Sequence, residues 1–135
     1  MSRGLINKNP GNIRKSGNPF LGEKLPSTDT AFRQFISMAY GYRAMFVLLN
    51  NYIKAGNNTI EKIISKYAPS SENNTGSYIN TVVTKSGVSK NTVLEISDQR
   101  LIKIVGAMSF VENGAAAVAT DVLDGFKMID LKKKL

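Results

Sequence analysis

The chain has 135 residues, 42% of them hydrophobic, and a net charge of +8. This length and composition predict one folded domain with its own core. The absence of cysteine and histidine excludes a disulfide framework, the usual zinc ligands and imidazole-dependent serine or cysteine hydrolases. Among hydrolases, carboxylate chemistry remains, and it suits glycosidic bonds. We expect no cofactor and no metal.

The first part of the chain, residues 1–36, is rich in glycine, asparagine and proline and predicts loops with a small hairpin. Residues 9–12 (NPGN) and 17–19 (GNP) are strong turn signals. Residues 30–35 predict a short strand anchored by Phe32 and Phe35. This segment should therefore lack long helices.

The rest of the chain predicts about five helices, which gives a mainly α (α+β) fold class. Ser37 should cap the first helix, Thr59 the second and Ser97 the fourth. The predicted helical ranges are 37–54, 59–68, 75–86, 97–113 and 115–123. Residues 1–135 then form a single domain, divided into a loop and hairpin segment (1–36), a helical part (37–124) and a tail (125–135).

One acidic residue is out of place in the helical pattern. In the fourth helix, an apolar stripe forms at helical spacing, and Glu112 falls in its middle. Apolar neighbours and the negative end of the helix dipole should both raise the pKa of its carboxyl group. A carboxylic acid that stays protonated near neutral pH is what a glycosidase needs as general acid. The alternative is that the helix frays one residue early and Glu112 faces water.

The other acidic residues are weaker candidates. Glu61 and Asp98 lie in first helical turns, where the helix dipole already favours them. Glu72, in a polar loop of residues 70–75, is the more interesting second acid. Its other interpretation, which the spacing favours, is a loop or capping role before the third helix.

An ordered set of short motifs resembles a known family. Residues 3–14 (RGLINKNPGNIR) resemble the opening of a family of small phage and prophage proteins, described as virion structural proteins or as candidate peptidoglycan hydrolases. The later pieces of the resemblance lie at residues 32–35, 41–44, 48–49, 52, 59–60, 67–69, 72–75, 78–79, 87–88 and 112–114. The resemblance implies a lysozyme-like fold of phage origin.

A second resemblance concerns bacterial glucosaminidases and related lysozyme-like enzymes. In them, a helix ending in a catalytic Glu precedes an Asn-rich segment, an aromatic-Arg strand and a helix opened by Ser. Residues 9–14, 32–35 and 37 onward are similar to the last three parts. Here the helix that ends in Glu112, Asn113 and Gly114 comes later in the chain, as in a circular permutation.

Three functions follow as hypotheses. In the first, Glu112 cleaves peptidoglycan glycan strands as a muramidase or lytic transglycosylase, with Asn9, Asn12 and Arg14 binding sugar and acetamide groups and Tyr78 stacking on a sugar. Turn chemistry for the asparagines and core packing for Tyr78 are the structural alternatives. In the second, the protein is a non-catalytic virion or wall-binding protein. In the third, which scattered basic residues do not favour, it binds nucleic acid.

Partners and location follow from charge and from the first residues. A basic chain approaches polyanions such as an anionic cell wall, although the charge also fits a merely soluble protein. Residues 1–12 lack the apolar stretch of a signal peptide, and no apolar run is long enough to span a membrane. We expect synthesis in the cytoplasm and action at the cell wall or periplasm, or in a phage particle with virion proteins as partners.

Overall fold

A computed structural model describes residues 1–71 and 73–129. In this part of the chain there are six helices: α1 (Arg3–Ile6), α2 (Met38–Lys54), α3 (Ile60–Tyr67), α4 (Thr75–Ser86), α5 (Leu101–Asn113) and α6 (Ala119–Lys127). The mainly α fold class is confirmed. Glu72 and residues 130–135, most of the predicted tail, lie outside the described residues.

Local capping chemistry explains why three helices begin and end where the sequence predicts. The Ser37 hydroxyl accepts a hydrogen bond from the Tyr40 N–H at the start of α2, and Thr59 does the same for Lys62 N–H at the start of α3. Gly87 ends α4 in the left-handed conformation, with φ of 72°. The predicted bounds of α2, α3 and α4 are thus close to the observed ones.

The start of α5 differs from the prediction. Ser97 does not cap it, because α5 begins only at Leu101 and no side chain caps its first turn. Ser97 instead adopts φ of 55°, and its N–H donates to Oδ1 of the buried Asn50 at 2.8 Å. The buried amide of Asn50 needs a partner, so a tertiary contact outweighs the local capping preference of serine.

The last helix lies further along the chain than predicted. The prediction was 115–123, but α6 spans Ala119–Lys127, so its final turn lies within the region predicted as tail. Phe126 explains the shift, since its ring packs edge-on against Phe46 with centroids 5.2 Å apart. Burial against α2 therefore sets the register of α6, and residues 125–127 belong to this helix rather than to the predicted tail.

The N-terminal segment contains less regular structure than the predicted hairpin, together with a short helix that was not predicted. Residues 31–36 run between two other extended pieces, with antiparallel bridges from Phe32 to Arg14 and from Phe35 to Glu23. Backbone hydrogen bonds support both edges, including Arg33 N–H to the Ile13 carbonyl at 3.0 Å and Lys24 N–H to the Gln34 carbonyl at 2.7 Å. The segment thus forms a small layer of three extended pieces joined by isolated bridges, which we call the N-terminal layer, and α1 precedes it.

The helices enclose a core in which α2 packs on α6 and α4 packs on α5. The fully buried large side chains come mainly from α2, α3 and α5: Tyr42, Met45, Phe46, Leu49, Ile60, Ile63, Ile64, Leu101, Ile104 and Met108. None of the helices in residues 1–71 and 73–129 combines the length and apolarity needed to cross a bilayer. The N-terminal layer lies against one end of this helical core and meets the end of α5 there.

Replacing Gly125 by alanine tests the packing of α6 on α2. A Cβ at this position would lie 2.7 Å from Tyr42 Cβ and 2.8 Å from the Ala39 carbonyl oxygen. We expect G125A to lower the free energy of unfolding by about 1–3 kcal/mol through overpacking. Gly106 in α5 is the matched control, because no atom from another part of the structure lies within 4 Å of its added Cβ. G106A should stabilise by about 0.5–1 kcal/mol, and urea unfolding of both variants measures the contrast.

Candidate functional site

Glu112 lies in the last turn of α5, at the junction with the N-terminal layer. Its two carboxylate oxygens are both held. Asn12 Nδ2 donates to Oε1 at 2.9 Å, and the Tyr78 hydroxyl donates to Oε2 at 3.0 Å. Asn12, 100 positions before Glu112, and Tyr78, 34 positions before it, thus meet at one carboxyl group. Glu112 is half-buried, so it reaches solvent without being freely hydrated.

The surroundings of Glu112 push its pKa in two directions. Burial raises the pKa above the ordinary glutamate value, because desolvation disfavours the ionised form. The hydrogen bonds from Asn12 and Tyr78 favour the carboxylate and partly oppose the rise. The pKa is raised on balance, which agrees with the prediction from the helix pattern. The α5 helix also continues through Glu112, so the residue does not fray into water.

Tyr78 lies against the Glu112 carboxylate, outside the lining of the large cleft described below. Its side chain is 5% exposed, so its ring packs in the core and offers little area for stacking on a sugar. Burial, followed by the negative charge of Glu112, raises the pKa of the Tyr78 hydroxyl. The hydroxyl therefore stays protonated and donates to Glu112.

Removing the Tyr78 hydroxyl should raise the pKa of Glu112 further. In Y78F the carboxylate loses a donor that favours its ionised form, while burial is unchanged. We expect the ¹³C chemical shift of the Glu112 carboxyl carbon to titrate at higher pH than in the wild type. The stability loss should stay near 0.5–1.5 kcal/mol, the ordinary value of one hydrogen bond. A titration at lower pH would show that Tyr78 does not stabilise the carboxylate.

The Pro10–Gly11–Asn12 turn aims the Asn12 side chain at Glu112. Asn12 adopts a left-handed backbone conformation with φ of 49°, which asparagine tolerates better than most residues. Gly11 lies against Tyr67, whose hydroxyl donates to the Gly11 carbonyl, and an added Cβ would overlap that hydroxyl. This contact with the last residue of α3 restrains the turn.

Asn9 supports this turn from below. It is 0% exposed; its Nδ2 donates to the carbonyls of Ile13 and Arg33, and its Oδ1 accepts from Ile13 N–H, all at 2.9 Å. The amide is therefore occupied by backbone partners. The geometry favours the turn-forming role of Asn9, and the predicted contact of Asn9 with a sugar stays a prediction.

Asn113 ties the first residues to the end of α5. Its Nδ2 donates to the carbonyls of Pro10 and Ser109 at 2.8 and 2.9 Å, and its Oδ1 accepts from the Ser2 hydroxyl at 2.7 Å. This residue was not among the predicted site residues. Together with the bond from Asn12 to Glu112, it fixes the N-terminal segment beside the catalytic candidate.

An open cleft of about 680 Å³ lies next to Glu112. The N-terminal layer forms one side, and α2 and α3 with the residues just after α3 form the other. Its lining combines amides, charged groups and aromatic rings: Asn12, Arg14, Asn18, Phe20, Phe32, Arg33, Tyr52, Tyr67, Asn73 and Glu112, with Gly11, Ile13, Ser16, Leu48 and Ala68. Polar groups interleaved with rings suit a ligand such as a sugar, which presents hydroxyls and apolar faces.

A buried ion pair builds the wall of the cleft. Arg33 Nη1 lies 2.6 Å from Glu23 Oε1, and the two side chains are 5% and 4% exposed. The same guanidinium donates to the backbone carbonyls of Arg14, Ser16 and Asn18, and it stacks on Phe20. One side chain thus organises most of the loop of residues 14–23, so Arg33 has a structural task.

The structure brings together three of the six predicted site residues at the cleft: Glu112, Asn12 and Arg14. Asn9 and Tyr78 lie behind it, and Glu72 falls outside the described residues. Sequence reasoning missed Tyr67, Arg33 and Asn113. Tyr67 follows Ile60, Ile63 and Ile64 at helical spacing, which indicates core packing, and its polar hydroxyl is the signal for a further role. Among the described residues, no group of three or more carboxylates gathers in a way that would hold a metal ion.

Comparison with known proteins places the chain among phage proteins. It is 35% identical over 131 residues to Protein P5 of Pseudoalteromonas phage PM2, a match that covers 93% of this chain and 81% of that protein. The chain belongs to the P5 family. No protein-family model matches it. The phage part of the resemblance is confirmed, and a place in a phage particle is compatible with membership of the P5 family. The name of P5 states no reaction, so glycan cleavage is argued below as a proposal.

Proposed function

We propose that this member of the P5 family is a phage-particle protein that cleaves the glycan strands of peptidoglycan, with Glu112 as general acid. The observation that carries the proposal is a half-buried carboxyl group of raised pKa beside an open cleft lined by amides and rings. In its protonated form, which burial favours, such a group can donate a proton to the bridging oxygen between two sugars. The sugar then develops oxocarbenium character at its anomeric carbon.

The lining of the cleft favours a mechanism that uses one carboxyl group. Among the described residues that line the cleft, Glu112 is the only acidic one. Glu23 lies outside the lining and is paired with Arg33. After protonating the leaving oxygen, the Glu112 carboxylate can remove the proton of an internal sugar hydroxyl as that hydroxyl attacks the anomeric carbon. The product is an anhydro sugar, as in lytic transglycosylation. Attack by water in the same position gives a reducing end instead.

Asn12 and Arg14 supply the binding part of the proposal. Asn12 and Arg14 both lie in the lining, and amino sugars carry acetamide and hydroxyl groups that can pair with an amide and a guanidinium. Asn12 also donates a hydrogen bond to Glu112, so the same side chain would contact both the bound sugar and the general acid.

A non-catalytic virion protein that binds the cell wall is the second candidate. Membership of a phage protein family supports it more directly than it supports cleavage, because that membership suggests where the protein acts and not what reaction it performs. The two hydrogen bonds that hold the Glu112 oxygens also fit a purely structural carboxylate. A cleft that binds sugar without cutting it would need every contact proposed above except proton transfer.

Incubating the purified protein with isolated peptidoglycan separates the two candidates. Cleavage predicts soluble fragments whose ends, by mass spectrometry, are anhydro or reducing, with a rate that falls as pH rises through the raised pKa of Glu112. Binding to the sediment without release of fragments at any pH would contradict cleavage and support the second candidate. Failure to bind would contradict both.

A further inference from the structure

Arg14 is the cation of the cleft that is available to a ligand. The lining contains two arginines, Arg14 and Arg33. Arg33 is buried and committed to Glu23 and to three backbone carbonyls. Arg14 is exposed, and among the described residues its guanidinium takes part in no hydrogen bond or salt bridge. A ligand in the cleft therefore meets an uncommitted guanidinium.

Stacking on an aromatic ring positions the Arg14 guanidinium, although the described residues offer it no ion pair. It lies over the ring of Phe32, 4.9 Å from the centroid. Arg3 stacks on the same ring at 4.6 Å. Stacking of this kind restrains the side chain and leaves the planar fork of N–H donors free. The cleft thus has a preorganised donor pair of the geometry that carboxylates accept.

The nearby carboxylate cannot neutralise Arg14, because it is used elsewhere. Asp29 forms a bidentate pair with Arg3 at 2.7 Å for both contacts, and it accepts from Asn7 Nδ2 and from the N–H groups of Ala31 and Phe32. With Glu23 paired to Arg33, the cleft carries a net positive charge whenever Glu112 is protonated. That is the form in which the proposed acid acts.

We propose that Arg14, stacked on Phe32, forms a carboxylate subsite that makes the cleft selective for acidic amino sugars over neutral ones. This inference rests on the proposed function and deepens it by naming the charged group of the substrate. N-acetylmuramic acid differs from N-acetylglucosamine by a lactyl ether that ends in a carboxylate. When a peptide stem is attached, that carboxyl becomes an amide and the stem supplies carboxylates instead. Either source presents the same chemistry to Arg14.

Calorimetric binding to the E112Q protein, which cannot cleave, tests the subsite. The ligands are glycan strands stripped of their stems, stem-bearing strands, and a neutral chitin oligosaccharide of equal length. R14Q should weaken binding of an acidic strand at least tenfold, and it should weaken binding of the chitin oligosaccharide far less, because the glutamine amide still hydrogen-bonds acetamide and hydroxyl groups. The strand that loses more affinity identifies the source of the carboxylate. K15Q, which removes the neighbouring exposed cation outside the lining, is the matched control and should change little.

The outcomes separate this inference from the function on which it rests. Equal binding of acidic and neutral strands, or an R14Q effect of the same size on both, would overturn the carboxylate subsite while the glycan cleft stands. A K15Q effect equal to that of R14Q would also overturn it, because general charge attraction would then explain the preference. Absence of binding to every strand would remove both the proposed function and the subsite.

Discussion

Replacing Glu112 by glutamine is expected to lower the rate of fragment release from peptidoglycan by about 10²- to 10⁴-fold, the range that a general acid contributes. Glutamine has nearly the shape of glutamic acid and can accept the hydrogen bond from Asn12, but it cannot donate a proton to a leaving oxygen. The acidic residue that the helix pattern singles out would then be the proton donor. Measuring soluble muropeptides over time at several pH values gives the ratio of rates.

The same variant carries a stability signature with a defined sign. The pKa of Glu112 is raised in the folded state, so ionisation costs folding free energy as pH rises from the ordinary glutamate pKa through the raised value. E112Q removes this cost, and its melting temperature relative to wild type should increase over that pH range. Below the range, where both forms are neutral, the difference should be small. A loss of activity without this trend would point to misfolding or altered packing.

Glu61 provides the control for the Glu112 experiment. It lies on α3 with an exposed side chain and a long 3.9 Å contact to Lys90. E61Q makes the same chemical change and should leave the rate within about twofold of wild type, as expected for a surface substitution without a special contact. If E112Q and E61Q released fragments equally well, Glu112 would not be the acid and the chain would fit the non-catalytic candidate.

Removing Arg33 should have the largest effect on stability. R33A leaves the buried carboxylate of Glu23 without its cation and three backbone carbonyls without their donor. Breaking a buried pair by deleting one partner costs about 3–5 kcal/mol, because the remaining charge is desolvated and unpaired. A domain of this size has about 5–15 kcal/mol of total stability. R33A should therefore melt at much lower temperature or fail to accumulate as folded protein.

A second variant keeps the Arg33 prediction informative if R33A does not fold. E23Q retains a hydrogen-bond acceptor and removes only the charge, so its loss in urea unfolding should be smaller than that of R33A but clear. Arg100, which pairs with Asp98 at 2.7 Å on the surface, gives the contrast: its side chain is 48% exposed and R100A should change stability little. Similar losses for R33A and R100A would show that the buried pair does not hold the cleft wall.

The sequence predicts the helical part of the chain well because its signals are local. Ser37, Thr59 and Gly87 mark helix ends through contacts within one turn, and the apolar spacing of α5 predicts both a buried stripe and the misplaced Glu112. The failures have a common physical cause. Ser97 binds Asn50, and Phe126 packs on Phe46, each across a long sequence separation. The first contact replaces the capping role predicted for Ser97, and the second shifts α6 along the chain.

For the site, sequence reasoning identifies the polar turn and the acid but does not show how they are connected. Asn9 and Asn12 share the same turn signal, yet one is buried under the turn and the other reaches Glu112. Only the left-handed conformation of Asn12 and the backbone partners of Asn9 separate their roles. The contributions of Tyr67 and Asn113 depend on which turn they touch in space, and helical periodicity carries no such information.

The bonds of Asn113 to Ser2 and Pro10 have a consequence for the order in which the protein matures during synthesis. The residues of the N-terminal segment that flank the cleft leave the ribosome well before the acid and its neighbouring asparagine. About 100 further residues must be synthesised before the N-terminal segment can contact α5. Bringing the two together then closes a long loop, which costs chain entropy. A chain interrupted before α5 would lack Glu112 altogether. The proposed wall-cutting activity therefore comes into being only after α5 has been synthesised.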